Sequence, residues 1–243
     1  IELEGGTLKA EAISVTALDI DGSSFRPSIS ITGAGNIDGT QLIINPGVAS
    51  GTYLTLDNFD EITYFEDKNG FDEILIEGAT FDAGTYGNLR GDSAVVIGQC
   101  RRVTVSLCHF SGWDDHGIYF SGPAEGSTLR CEDAIVSGNH FYDLSGAVRL
   151  ARQFSNFTIS GNTFRRVYNC IVAAGGNSNW NPGDSAVITG NIIQGCLSSA
   201  IDLRYFSTGF SITGNLIYDW SRDISSSAIV LRGVSKGVIS GNT

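Results

Sequence analysis

Two carboxyl groups ~5 to 10 Å apart, one protonated and one ionised, can work as a general acid and a general base or nucleophile, the pair that hydrolysis of an acetal such as a glycosidic bond requires. Few carboxylates of this chain are placed for it. Asp114 and Asp115 stand side by side just ahead of the strand-like run Gly117-Ile118-Tyr119-Phe120, with His116 next to them, and Asp143 stands at the equivalent place one repeat later. Neighbouring residues of an extended chain point to opposite sides, so only one of Asp114 and Asp115 can join Asp143. Asp115 with Asp143, helped by His116 and Arg149, is the first expected pair. The competing reading makes Asp114 to His116 a hydrogen-bonded corner, a role Asp favours. A second arrangement sets Glu132 or Asp133 with Asp202, across a groove from Arg149 and Arg204. It suits elimination from a uronic acid, because Arg neutralises the substrate carboxylate near the carbon that loses its proton. Tyr119, Tyr205 and Trp180 offer rings that stack on sugars.

These residues are positioned by a repeat. A β-branched residue, Ser or Thr, Gly and Asn recur at Val136 to Asn139, Ile159 to Asn162, Ile188 to Asn191, Ile212 to Asn215 and Ile239 to Asn242, spaced 23, 29, 24 and 27 residues apart. Degenerate copies precede them at Ile76 to Ala79 and Val105 to Cys108. An apolar residue follows two positions on: Phe81, Phe110, Phe141, Phe164, Ile193 and Ile217. A second strand then comes in each unit, small-aliphatic-variable-apolar, with Tyr119, Arg149, Val172, Asp202 and Val230 at the variable, outward position. Several short strands per repeat of irregular length, without helical periodicity, predict an all-β solenoid with coils of about 23 to 31 residues stacked as parallel sheets.

In that frame Gly and Asn mark a tight corner, Asn is expected to tolerate a left-handed conformation there, and stacked Asn side chains form an internal ladder. The tetrad is structural, since a site occurs once whereas a ladder recurs. His109 and His140 share one repeat position and are expected to stack. The long connections Ser121 to Asp133 and Ala174 to Ser185 are expected to wall a groove beside Arg149. Residues 1–72 read as earlier, less regular coils, with strands at Ala12 to Val15, Ile29 to Thr32, Leu42 to Ile44 and Tyr53 to Leu56. They include an acidic, aromatic excursion at 57–72. Residues 73–243 read as regular coils of the same continuous domain.

The net charge of −11 is uneven: residues 1–92 hold 16 acidic and 4 basic residues, residues 93–243 hold 10 and 11. No basic stripe exists to displace counterions, so nucleic acid is excluded as a partner. No apolar run approaches a membrane span, so no membrane insertion is expected. Five Cys without ligand-like spacing read as buried thiols, and neither a metal nor a cofactor is expected. The chain starts without Met and stops one residue after a tetrad Asn, so further coils are expected in a longer parent.

The Ser/Thr-Gly-Asn corners, the run Asp114 to Phe120 and the segment Phe154 to Phe164 together resemble the right-handed parallel β-helix of the pectin-lyase-like superfamily, and within it the bacteriophage tailspikes. The resemblance covers residues 73–243 well and residues 1–72 loosely. It implies a single-stranded right-handed β-helix, a depolymerase that hydrolyses bacterial surface polysaccharide, a homotrimer, and a place on a virion tail or outside the cell. A polysaccharide lyase and a non-catalytic glycan-binding or structural β-helix are the alternatives. The polygalacturonases of this fold are matched only in part: Asp114-Asp115 answers one element, Asp92 and Arg149 stand roughly for two others, and no Gly-His-Gly is present.

Overall fold

The structure is a computed structural model. It describes strands at Ala17–Ile20, Ser28–Ile31, Asn36–Asp38, Gln41–Ile44, Leu54–Leu56, Phe71–Glu77 and Thr80–Asp82, then residues 93–97, 100–120, 131–151, 154–174, 183–205, 209–219 and 227–243. Ala12 to Val15, Asp92, most of the 57–72 excursion and the middles of both long connections, with Trp180, lie outside the described residues. Phe71 and Asp72 open the strand Phe71–Glu77.

Every described strand pair is parallel, and neighbours in a sheet come from successive coils. One sheet stacks eight strands, from Ser28–Ile31 to Gly237–Ser240. The other holds fourteen strands in two stacks. One stack is of short strands such as His109–Ser111 and Ile192–Gln194, the other of second strands such as His116–Phe120 and Ile201–Arg204. They merge because His140–Ala151 and Thr163–Ala174 run through the corner between them as single strands of 12 residues. The chain is thus an all-β parallel solenoid, as its repeat predicts.

The interior follows from side-chain alternation. Val103, Val105, Ala134, Val136, Phe157, Ile159, Ala186, Ile188 and Ile212 are buried from the eight-stranded sheet, while Thr104, Ile135, Thr158, Val187, Ser211 and Val238 form an outer column. Phe81, Phe110, Phe141 and Phe164 stack with ring centroids 4.9, 4.9 and 5.0 Å apart, which is the spacing of the strands that carry them. Ile193 and Ile217 continue the column. Cys108, Cys131, Cys170 and Cys196 are buried.

The tetrad corner is built by division of labour. Gly138, Gly161, Gly190, Gly214 and Gly241 all have φ between 62° and 66°, the left-handed region that costs a residue with a Cβ ~1 to 2 kcal/mol. Asn is not in that conformation, contrary to the sequence-based expectation. Gly makes the turn, and Asn points inward to satisfy what the turn leaves unpaired. Asn162 Nδ2 donates to Asn191 Oδ1 at 3.0 Å and to the Val136 carbonyl at 2.9 Å, while its own Oδ1 accepts from Asn139 N and Nδ2 at 2.9 and 3.0 Å. The pattern repeats through Asn191, Asn215 and Asn242. At the degenerate copy Leu107 holds the left-handed position at φ 56°, and Cys108 replaces Asn, giving its N–H to Asn139 Oδ1.

Candidate functional site

A second corner joins the short strands to the second strands. Its turning residues, Gly112, Asp143, Arg166, Gly195 and Asp219, all have positive φ. Asp143 therefore belongs to a recurring backbone position. Its carboxylate receives Arg166 Nε at 2.6 Å and Arg166 Nη2 in a two-pronged ion pair.

The coil before it differs. Ser111 lies opposite Tyr142 and His116 opposite Gly146, so this coil holds one extra residue, and Asp114 and Asp115 together face Ser145. The bulge is pinned from both sides: Ser145 N donates to Trp113 O at 3.1 Å and Gly146 N to Asp115 O at 2.6 Å. Trp113 is fully buried, its indole N–H donating to the Phe81 carbonyl at 3.2 Å. An inserted residue re-aims the side chains around it. Here it turns Asp115 towards its own coil's second strand.

Asp115 Oδ2 accepts from Ser93 Oγ at 2.9 Å, and Oδ1 lies 2.8 Å from His116 Nδ1. That approach has ion-pair distance without hydrogen-bond alignment, and Nδ1 is otherwise buried without a partner. Partial burial pushes the Asp115 carboxyl up, but His116, Ser93 and the charge of Arg149 outweigh it and hold it below its ordinary value. It is an ionised acceptor. The His116 ring stacks on Tyr119 with centroids 5.5 Å apart, and Arg149, opposite Tyr119 in the next coil, sets its guanidinium carbon 5.8 Å from the Tyr119 ring. Arg149 Nε is buried with no hydrogen-bond partner. Asp114 is half-exposed.

Gly146 makes this arrangement possible. A Cβ there would lie 2.3 Å from His116 Cδ2 and 2.8 Å from Nε2, so any side chain would displace the imidazole. Ser93 and Gly146 escape a search for catalytic residue types. Both are legible once repeats are aligned, because the position before each second strand's small residue reads Ser93, His116, Gly146, Asn169, Ser199 and Ser227, with one ring among small side chains.

The remaining candidates lie elsewhere. Asp202 is 5% exposed, and Arg204 Nε bonds both of its oxygens at 2.9 and 3.0 Å. Val172 separates Asp202 from Arg149 in the outer column. Pairing with Asp202 holds the Arg204 guanidinium above its ordinary value. Tyr205 turns the chain after that strand, at φ 59°, its ring against Gly233. Glu132 and Asp133 are not the end of a loop: they belong to the strand Cys131–Ser137 of the eight-stranded sheet, where Asp133 accepts from Asn156 Nδ2 at 3.0 Å. The structure thus brings together Asp115, His116, Tyr119 and Arg149. No hydrogen bond or ion pair joins Asp115 to Asp143, or Glu132 or Asp133 to Asp202, among the described residues. Nor do three His, Cys, Asp or Glu side chains gather there as a cation site. No helix of the described residues is long and apolar enough to cross a membrane.

Residues 27–182 match the family described as the right handed beta helix region. No curated protein and no solved structure matches the chain. The match spans more than half of the sequence and coincides with parallel coils stacked on an internal Asn ladder: the chain belongs to the right-handed β-helix family.

Proposed function

We propose that this β-helix protein is carbohydrate-active and cleaves a bacterial surface polysaccharide at the Asp115, His116, Tyr119 and Arg149 cluster, by elimination. The observation that carries the reading is how the carboxylates are occupied. Asp143 is held by Arg166, Asp202 by Arg204, and Asp115 is kept ionised by Ser93 and His116. A glycosidase needs one protonated carboxyl group aimed at the leaving oxygen. None of these three is set to be one, which favours elimination over the hydrolase expected first from sequence.

The same atoms suit proton abstraction. Asp115 lies beside Nδ1 of His116 and favours the proton there, which leaves Nε2 as the base, and the ring is held by its stacking on Tyr119. Arg149, with a desolvated N–H to satisfy, would take the carboxylate of a uronic acid and stabilise the charge that develops when the neighbouring carbon loses its proton. The electron pair forms a carbon–carbon double bond, the glycosidic C–O bond breaks, and the leaving oxygen takes up a proton from the imidazolium. Tyr119 supplies a face for the sugar. A homotrimer on a virion tail or another extracellular surface belongs to the same reading.

The test is incubation with alginate, polygalacturonate, hyaluronan and bacterial capsule, following reducing ends and the ultraviolet absorbance of unsaturated uronates. Both signals together, lost in His116→Ala, are the expected result. Reducing ends without absorbance return the hydrolase. Neither signal, with binding retained, leaves a glycan-binding β-helix and ends the catalytic reading.

A further inference from the structure

The short-strand stack carries a column that the site above does not use. Tyr142, Arg165, Gln194 and Tyr218 lie opposite one another in successive coils, in unbroken parallel register. The Phe and Ile residues that precede them in each strand point inward, so these four point outward. Arg165 and Tyr218 are exposed, Tyr142 and Gln194 half-exposed.

Tyr142 is a prepared ring. The Arg166 guanidinium lies 4.3 Å from its centroid, donates to its hydroxyl, and is itself fixed by both oxygens of Asp143. A ring held this way loses little freedom when a ligand lands on it. Tyr218 stands three coils further on, ~14 Å away at the strand spacing of a sheet. Between the two rings stand Arg165, with donors only, and Gln194, with donors and an acceptor.

Two outward rings in line with the helix axis, with hydrogen-bonding side chains at each coil between them, match a ligand that alternates apolar faces and hydroxyls at a similar step. A polysaccharide does so, since its extended chain advances by about one strand spacing per pyranose ring. We propose that the Tyr142, Arg165, Gln194 and Tyr218 column is a second glycan-binding surface, on which a polysaccharide lies along the helix axis, stacking on both tyrosines and hydrogen-bonding to Arg165 and Gln194. It shares no residue with the Asp115 and His116 site, and its role is retention of the polymer.

Affinity electrophoresis of this chain through gels containing dextran, xanthan or alginate tests it. At least one polymer is expected to retard the protein. The Tyr142→Ala, Tyr218→Ala double variant is expected to weaken the apparent Kd about 10- to 100-fold. The Tyr142→Phe, Tyr218→Phe variant, which keeps both rings, is expected to migrate as the parent does. Retardation unchanged in the double Ala variant overturns the proposal, and so does free migration in all three gels. Loss of retardation in Arg149→Ala but not in the double Ala variant overturns this surface while leaving the elimination site standing. Matching circular dichroism spectra show that the exposed substitutions left the fold intact.

Discussion

Two corners of the same coil follow opposite rules. At the tetrad corner, five Gly-Asn pairs superpose coil on coil, and each buried amide is satisfied by the next. At the corner between the short and second strands the backbone turn recurs but the side chains do not. One coil carries Asp143, the next Arg166, the next Gly195, and the coil before them inserts a residue and gathers Asp115 against Ser93 and His116. Uniformity gives stability, because every hydrogen-bonding group has an identical neighbour. Departure from uniformity is where a side chain is free to meet a ligand.

The contrast is broken most severely at the ladder. Asn162→Ala removes two donors and an acceptor from a fully buried position and strands the Asn139 N–H and the Val136 carbonyl, while the Asn191 amide oxygen keeps only the bond from the backbone N–H of residue 162. The expected loss is about 3 to 5 kcal/mol, since each orphaned group costs its desolvation. Urea denaturation measures it. Asn242→Ala, at the half-buried end of the same ladder, is expected to cost less.

Gly146→Ala addresses the other corner. Gly146 has no left-handed conformation to protect, but its new methyl would collide with His116. Turnover of the polymer that passes the elimination test is expected to fall about 100-fold, as for a displaced catalytic group, with a far smaller change in melting temperature than Asn162→Ala. Equal and large losses of stability at both positions would erase the distinction between the corners.

Asp115→Asn sharpens it with pH. The folded protein holds this carboxyl below its ordinary value, so its stabilising effect is present above the unfolded-state value and is lost as pH falls through the folded one. Parent and variant are therefore expected to differ in melting temperature at neutral pH, and the gap is expected to close as pH falls from 3.8, the group's ordinary value, through the lower folded one. A gap that persists into acid would mean that Asp115 acts by packing and not by charge.

The ladder, the aromatic stack and the parallel coils were legible in the sequence because each is written several times over. A position that reads Phe, Phe, Phe, Phe, Ile, Ile in series has one physical explanation, and so does a Gly-Asn pair at five successive turns. Asp115 with His116 and Arg149 was legible as a set of residue types, but its pairing with Asp143 was not decidable. The inserted residue at Asp114 and Asp115 shifts the register by one, and a pattern of variable-length repeats does not reveal in which corner an extra residue is absorbed. Glu132 and Asp133 were misplaced for a related reason: the strand Cys131–Ser137 carries an outward pair where its neighbour carries Ser155 and Asn156, so charge disguised it as a loop.

The gentlest test returns to the tetrad. At Gly161 a Cβ would meet nothing within 4 Å, so Gly161→Ala isolates the conformational term at φ 63°. The expected cost is about 1 kcal/mol, the strain of the left-handed region less the freedom that Ala no longer has to lose. Leu107, at the same turn with φ 56° and 64% exposed, already bears that strain. Leu107→Gly is expected to relieve it, with a gain smaller than the Gly161→Ala loss because the Leu107 side chain also packs within 3.1 Å of where a Gly138 Cβ would stand. Thermal melts of the two variants should move in opposite directions. If both fall, the Leu107 side chain contributes more than its backbone costs, and this degenerate copy of the tetrad is held by packing where the later ones are held by glycine.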